Sequence, residues 1–105
     1  MSDLNEISEL FKALSDPTRL KIIELLSSSA GKPERRSGCN GGGTLCVNAL
    51  AGRLGVTQSA VSQHLRVLRQ AGLVERARYG NFVHYSLSED GVKKQREALE
   101  RILGG

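Results

Sequence analysis

The apolar residues at the start of the chain follow the spacing of two α-helices. The first helix has an apolar stripe in which residues recur every three or four positions: Leu4, Ile7, Leu10, Phe11 and Leu14. A second helix is expected to begin at Asp16 and Pro17, since Asp is a preferred N-cap and Pro a preferred first helical residue. Apolar residues surround much of this second helix, which indicates that it is buried in the middle of the domain.

Two further helices are predicted on either side of Gly55. Thr44 is expected to cap the third helix and Thr57 the fourth, because hydroxyl side chains accept hydrogen bonds from the first helical N–H groups. The fourth helix is expected to run to Ala71 and to end at Gly72. The short connection between the two helices is typical of a helix-turn-helix.

The apolar period changes from helical to alternating after the fourth helix. Residues 73–78 and 82–87 are predicted strands, and the intervening Tyr79-Gly80-Asn81 is typical of a hairpin turn. Ser88 and the two acidic residues after it are expected to begin a last helix. The predicted fold class is therefore mainly α (α+β), a winged helix-turn-helix with about five helices and a two-stranded wing.

A single winged-helix domain is expected to span residues 1–105. A loop insertion is predicted between its second and third helices. Residues 27–44 contain four Ser, five Gly and one Pro, a composition typical of a flexible loop. This predicted loop carries Cys39, one of the two cysteines of the chain.

Charge is distributed unevenly along the chain. The net charge is only +4, but residues 32–85 contain eight basic and two acidic side chains, whereas residues 1–31 contain three basic and five acidic ones. A basic segment between acidic and neutral flanks favours a polyanionic partner. Aromatic residues make up 4% of the chain, which disfavours RNA recognition by base stacking and favours double-stranded DNA.

Membrane proteins, secreted proteins and enzymes are not expected from this sequence. No apolar run approaches the roughly 20 residues of a membrane helix. The first residues lack the basic and apolar regions of a signal peptide, so a cytoplasmic protein is expected. Two cysteines do not form a disulfide framework. No nucleophile with a matching base and no catalytic carboxylate pair is recognisable, so the sequence does not predict an enzyme.

The fourth helix has a polar face without any acidic residue. At about 100° per residue, the polar side chains fall within about 140° and the apolar ones on the opposite side. The polar set is Gln58, Ser59, Ser62, Gln63, Arg66, Arg69 and Gln70. A solvated helix face normally mixes Glu with Lys. Gln, Ser and Arg are instead the side chains that contact base edges and phosphates, which favours a DNA-binding face.

The predicted hairpin extends this basic surface. Arg76 and Arg78 are two residues apart and therefore share one side of the ribbon, and Tyr79 and Asn81 lie at its tip. Such a wing suits contacts with phosphates or the minor groove. The predicted DNA contacts are Gln58, Ser59, Ser62, Gln63, Arg66, Arg76, Arg78, Tyr79 and Asn81.

Three segments together resemble the ArsR/SmtB family of bacterial metal- and stress-sensing repressors. They are FKALSDPTRLKIIELL, LCVNALAGRLGVTQSAVSQHLRVLRQAGLV and YGNFVHYSLSEDG, and the resemblance covers nearly the whole chain except residues 27–44. The resemblance implies a homodimer formed through the first and last helices. It also implies binding to an imperfect palindromic operator, with release when an inducer arrives. The residues that match the family's recognition-helix pattern are Gln58, Ser59, Ser62 and Gln63.

Cys46 matches a position at which some members of this family bind soft metal ions. Arsenic-, lead- and cadmium-sensing members have a Cys-Val-Cys-Asp-Leu element there, whereas here Asn48 replaces the second Cys and Ala49 the acid. The family's thiolate pair is therefore incomplete. If Thr44 caps the third helix, Cys46 lies in its first turn, where the helix dipole lowers the pKa of a thiol.

Three roles of Cys39 and Cys46 remain open at this point. A thiophilic ion, arsenite first, bound by both sulfurs would tie the loop to the third helix and act as the inducer. A disulfide or persulfide switch would have the same mechanical effect. Cys46 could instead be an inert, buried thiol. No cofactor is expected to be required for DNA binding.

The two histidines are expected to be structural. His64 lies on the apolar side of the fourth helix, and His84 lies in the second predicted strand. The zinc and nickel site that the family has on its last helix is not expected, because residues 88–103 contain no His.

An alternative from another class is a winged helix that binds proteins. It would bind DNA weakly, with salt dependence and without sequence preference.

Overall fold

The computed structural model describes residues 2–29, 40–41 and 44–104 of the 105-residue chain. In chain order the elements are α1 (Ser2–Leu14), α2 (Pro17–Ser29), β1 (Asn40–Gly41), β2 (Thr44–Leu45), α3 (Val47–Leu54), α4 (Gln58–Gln70), β3 (Val74–Tyr79), β4 (Phe82–Leu87) and α5 (Glu89–Leu103). This order confirms the predicted winged helix-turn-helix, with α3 and α4 as the two helices and β3 and β4 as the wing. None of the helices within the described residues has the length and apolar character needed to cross a bilayer.

α2 lies at the centre of the core, as its apolar pattern predicts. Ile22 and Leu26 are completely buried, and α2 packs against α1, α3, α4 and β4. The other large side chains that are almost completely buried come from α3 and α4: Leu50, Val61, Leu65 and Leu68. α4 is therefore held in place by α2, α3 and β3, while α1 and α5 pack against each other.

Two local signals define the tight turn between α3 and α4. Gly55 ends α3 with a φ of 70°, a left-handed conformation that residues with a Cβ rarely adopt. Its N–H donates to the carbonyl oxygen of Ala51 at 2.9 Å. Thr57 then caps α4, because its Oγ1 accepts a hydrogen bond from the N–H of Ala60 at 3.0 Å. Both signals are local in sequence, which is why the start of α4 agrees with the prediction.

The wing belongs to a four-stranded antiparallel sheet of order β1-β2-β4-β3. β3 and β4 pair along their whole length, from Val74 with Leu87 to Tyr79 with Phe82. β2 pairs with the other side of β4 through Leu45 and Tyr85. The sequence predicts only the two wing strands, because two-residue strands are too short to show an alternating pattern.

The predicted loop over residues 27–44 is wrong at both ends. α2 continues through Ser29, and Asn40–Gly41 and Thr44–Leu45 form the antiparallel pair β1 and β2. The backbone of β2 is hydrogen-bonded to β4, so the chain is extended at Thr44–Leu45. The Gly-rich composition of residues 27–44 does not indicate this pairing.

α5 is anchored to the turn that follows α4. The Oγ of Ser88 accepts from the N–H of Gly91 at 3.0 Å, and the N–H of Ser88 donates to the carbonyl oxygen of Leu73 at 2.9 Å. The side-chain amide of Gln95 donates to the carbonyl oxygen of Ala71 at 3.2 Å. These bonds tie α5 to the C-terminal end of α4.

Candidate nucleic-acid interface

α4 presents an exposed face that contains no acidic side chain. All seven polar residues that the sequence assigns to this face are exposed: Gln58, Ser59, Ser62, Gln63, Arg66, Arg69 and Gln70. The opposite side is buried through Val61, Leu65 and Leu68. Because these three side chains are close-packed in the core, α4 cannot rotate about its axis without losing that packing. The polar face therefore has a fixed direction.

The N-terminal half of α4 carries the short polar side chains. Gln58 and Ser59 begin the helix, and Ser62 and Gln63 follow one turn later. Amide and hydroxyl groups of this kind both donate and accept hydrogen bonds, as the edges of DNA bases do. The positive end of the helix dipole lies at the same end and favours a nearby phosphate.

A cationic groove of about 610 Å³ lies between the C-terminal half of α4 and the wing. Arg66 and Arg69 line it from α4, and Arg76 lines it from β3, with Glu75 as the one acidic side chain in its wall. Three guanidinium groups against one carboxylate favour a phosphate backbone in this groove. Arg69 is absent from the predicted contact set, although its spacing of three residues from Arg66 could have indicated it.

The wing carries the remaining predicted contacts at and near its tip. Arg76 and Arg78 are exposed on β3, and Asn81 is exposed in the turn. The backbone of Tyr79 pairs with Phe82 at the end of the ribbon. Phe82 is 47% exposed, so the tip also carries an apolar side chain that the sequence pattern does not single out.

His64 lies in a polar junction between α2 and α4. Its Nδ1 is 3.2 Å from Nη1 of Arg19, and its Nε2 is 3.7 Å from Oδ2 of Asp16. The predicted packing role omits these partners, because Arg19 is 45 residues away in sequence and no local spacing indicates the contact. Arg19 also donates to the carbonyl oxygens of Lys12 and Ala13 at the end of α1.

Cys46 lies between β2 and α3. It is the N-cap residue of α3, in an extended conformation, and its side chain makes no capping hydrogen bond. The predicted cap at Thr44 is wrong, because the pairing of Leu45 with Tyr85 keeps the chain extended up to Cys46. Cys46 therefore precedes the first turn of α3 instead of lying within it.

Cys46 is a buried residue, 5% exposed, that forms a disulfide. The other predicted sensing residue, Cys39, lies outside the described residues. The antiparallel pairing of Leu45 with Tyr85 brings Cys46 next to the position of His84, which is also buried. The described part of the chain contains no group of three or more His, Cys, Asp or Glu side chains that could hold a metal ion.

α1 and α5 expose large apolar side chains. These side chains are between 41% and 73% exposed: Leu4, Phe11, Ile102 and Leu103. An apolar groove of about 270 Å³ lies where α1, α2 and α5 meet. Its apolar lining comes from α1, α2, α5 and the turn before β3: Leu10, Leu14, Ile23, Leu73, Val92 and Leu99. Exposed apolar side chains together with an apolar groove are typical of an association site.

The sequence of the chain is similar to those of known helix-turn-helix proteins. A family model described as a helix-turn-helix domain matches residues 14–77. The arsenical resistance operon repressor of Escherichia coli K12 is 40% identical over 80 residues, which are 76% of this chain and 57% of that protein.

Two solved structures resemble the chain along nearly its whole length. An ArsR-like transcriptional regulator from Rhodococcus sp. RHA1 has a TM-score of 0.73 at 30% identity, over 99% of this chain and 85% of that one. The homodimeric winged helix-turn-helix domain of Mb0332 from Mycobacterium bovis has a TM-score of 0.67 at 27% identity, over 96% of this chain and 80% of that one.

Proposed function

Since the chain belongs to the ArsR/SmtB family of DNA-binding transcriptional repressors, we propose that two copies form a homodimeric repressor of an imperfect palindromic operator. The observation that carries this proposal is the exposed, acid-free face of α4, which continues into the cationic groove beside the wing. Such a surface matches base edges in the major groove together with the phosphates beside them.

The N-terminal half of α4 reads the bases. Gln58 and Gln63 can each form paired hydrogen bonds with an adenine edge, and the Ser59 and Ser62 hydroxyls suit either kind of base. Arg66 lies one turn further along the same exposed face and contacts a guanine or a phosphate.

The wing contacts the backbone beside this major groove. Arg76 and Arg78 are exposed on β3, and their charges attract phosphates or a narrow minor groove. Asn81 at the tip can donate to the same acceptors, and Tyr79 ends the strand next to it. These contacts hold the wing on the DNA and add affinity with little sequence preference.

α1 and α5 form the dimer interface in this proposal. The exposed side chains of Leu4, Phe11, Ile102 and Leu103 support this assignment. Complete burial of one such side chain stabilises an interface by roughly 1.5–3 kcal/mol. A two-fold axis through this surface presents two α4 helices about 34–36 Å apart, in successive major grooves on one side of the DNA. A palindromic operator follows from that symmetry.

A signal directed at the thiols of Cys39 and Cys46 releases the repressor. Cys46 adjoins α3 directly and is connected through β2 to the wing strand β4. A change of bonding at its sulfur therefore acts on both DNA-contacting parts. The first proposed inducer is arsenite or another soft metal ion, because such ions prefer thiolate ligands and a 40% identical relative is an arsenical resistance repressor. DNA binding itself needs no cofactor in this proposal.

Formation of a disulfide between Cys39 and Cys46 is the second candidate for the releasing signal, and the disulfide-bonded state of Cys46 favours it. Two thiols transfer two electrons and two protons to an oxidant such as hydrogen peroxide, and one S–S bond forms. A phosphine reductant distinguishes the two signals. It restores operator binding after oxidation, whereas a protein released by arsenite stays off the DNA.

Selection from a pool of random DNA duplexes tests the proposed function. We expect the purified chain to enrich an inverted repeat whose half-site centres are about 10 base pairs apart. Binding that weakens with salt and enriches no sequence would instead identify a protein-interaction module with general affinity for polyanions.

A further inference from the structure

The guanidinium of Arg19 connects three helices behind the DNA-facing surface of α4. Its Nε donates to the carbonyl oxygen of Ala13 at 2.6 Å, and its Nη2 donates to that of Lys12 at 3.2 Å. The last carbonyls of a helix have no partner within it, so Arg19 caps the end of α1. Its Nη1 lies 3.2 Å from Nδ1 of His64 in the middle of α4. Arg19 itself belongs to the first turn of α2, where its N–H donates to Asp16 at 3.1 Å.

A cleft of about 280 Å³, partly open to solvent, lies beside this guanidinium between α1 and α4. Lys12 and Ala13 line it from α1, Val67 and Gln70 line it from α4, and Arg19 lies in its wall. Where a cleft separates two helices, direct packing contributes less to their relative position. The contact of Arg19 with His64 is therefore a directed link between α1 and α4 at a point where packing is incomplete.

The planar guanidinium of Arg19 gives its contact with His64 a defined geometry. A guanidinium is planar and holds its N–H donors at fixed angles, so three acceptors on two helices restrict how those helices are rotated relative to each other. His64 accepts at Nδ1 when its proton is on Nε2, and that nitrogen faces Oδ2 of Asp16 at 3.7 Å. In that tautomer Arg19 donates to Nδ1, and the opposite edge of the ring faces the carboxylate of Asp16.

We propose that Arg19 and His64 are positioning residues for operator recognition, because they hold α4 at one angle to α1. The inference rests on the proposed function, in which α1 belongs to the dimer interface and α4 to the DNA interface. The angle between the two helices then sets the separation of the two α4 helices in the dimer. Neither side chain reaches DNA, since Arg19 lies on α2 and His64 lies on the side of α4 that faces α2. Their effect is on how strictly the dimer selects the spacing of half-sites.

Paired variants of His64 separate positioning from packing. His64→Leu introduces an apolar side chain of similar size and removes the acceptor, whereas His64→Asn keeps an acceptor close to the position of Nδ1. The probes are the duplex enriched by the wild-type chain and the same duplex with one base pair added or removed between its half-sites. That change shifts one half-site by about 3.4 Å and rotates it by about 34°.

The measured quantity is the ratio of affinities for the enriched and respaced duplexes within one variant. We expect His64→Leu to lower this ratio about tenfold, the effect of losing one hydrogen bond to a charged group, and His64→Asn to keep it within about twofold of wild type. Arg19→Lys keeps the positive charge but cannot reach all three acceptors, so we expect it to resemble His64→Leu. The double variant should be no worse than either single one, because both changes remove the same link.

Unchanged spacing ratios in His64→Leu and Arg19→Lys would overturn the inference. A loss of folded protein lowers the apparent affinity for all duplexes by the same factor and leaves the ratio as it is, so the ratio reports positioning alone. If the proposed function is wrong, the result is different: the wild-type chain enriches no duplex, and no ratio exists for any variant.

Discussion

The backbone of Gly91 lies directly against the carbonyl oxygen of Gly72, so closely that a Cβ at residue 91 would overlap that oxygen. This contact joins the first turn of α5 to the turn after α4, where Ser88 also donates to Leu73. We expect Gly91→Ala to lower the free energy of unfolding by about 1–3 kcal/mol, because a backbone segment must shift to admit the methyl group. Thermal or urea unfolding measures the change.

Gly52 provides the matched control for this substitution. It is exposed in α3, and a Cβ there would meet no atom within 4 Å. Ala is favoured over Gly in a helix, so Gly52→Ala should raise the free energy of unfolding by about 0.5–1 kcal/mol. The same Gly-to-Ala substitution is thus expected to lower the free energy of unfolding at residue 91 and to raise it at residue 52. Equal effects at both would show that the contact of Gly91 with Gly72 does not constrain the fold.

The dimer interface can be tested with two phenylalanines of similar exposure. Phe11 on α1 is 53% exposed and Phe82 at the wing tip is 47% exposed. We expect Phe11→Glu to convert the dimer to a monomer, because it places a charge in an apolar contact. Phe82→Glu should leave the dimer intact. Light scattering during gel filtration measures the mass of each variant. If Phe11→Glu remained a dimer and Phe82→Glu became a monomer, the interface would lie at the wing.

Arg69 is expected to contact a phosphate from the groove between α4 and the wing. Each phosphate contact contributes about 0.9 to the slope of log affinity against log salt concentration. Arg69→Ala should therefore reduce the slope by about that amount per protomer, equally for the enriched and for a random duplex. Lys21→Ala, which removes an exposed charge on α2, should leave the slope unchanged. A loss confined to the enriched duplex would show that Arg69 contacts a base instead.

The cysteine proposal predicts that release from DNA requires both sulfurs. We expect arsenite or hydrogen peroxide to release the wild-type chain and to leave Cys39→Ser and Cys46→Ser on the operator. Cys46 is buried, so a hydroxyl there is expected to cost about 1–3 kcal/mol of stability, and unfolding must be measured alongside DNA binding. Release that persists in the double variant would place the inducer site elsewhere.

The elements defined by local signals agree best with the sequence-based expectations. Gly55 and Thr57 act within a few residues of themselves, and α4 begins where they predict. The polar face of α4 is also a local property, since the spacing of residues within one helix determines it. The predicted strand over 73–78 differs by one residue from β3, because the exact end of a strand depends on its partner.

The features that the sequence does not reveal depend on contacts between distant segments. β2 exists because Leu45 pairs with Tyr85, and that pairing also moves the start of α3 beyond Cys46. The partner of His64 is Arg19, on a different helix. Neither contact leaves a periodic pattern in the sequence, so spacing and caps alone cannot indicate them.

The most direct test of the account is the sequence discrimination of Gln58→Ala and Ser62→Ala. The measured quantity is the ratio of affinities for the enriched operator and for a random duplex of equal length, with Ser27→Ala on α2 as an exposed control. One lost base contact costs about 1–3 kcal/mol, and both half-sites lose it, so each variant should reduce the ratio by at least about tenfold. Gel filtration should still show a folded dimer, and Ser27→Ala should resemble wild type. Ratios that remain at the wild-type value in both α4 variants would contradict recognition of the operator by this face.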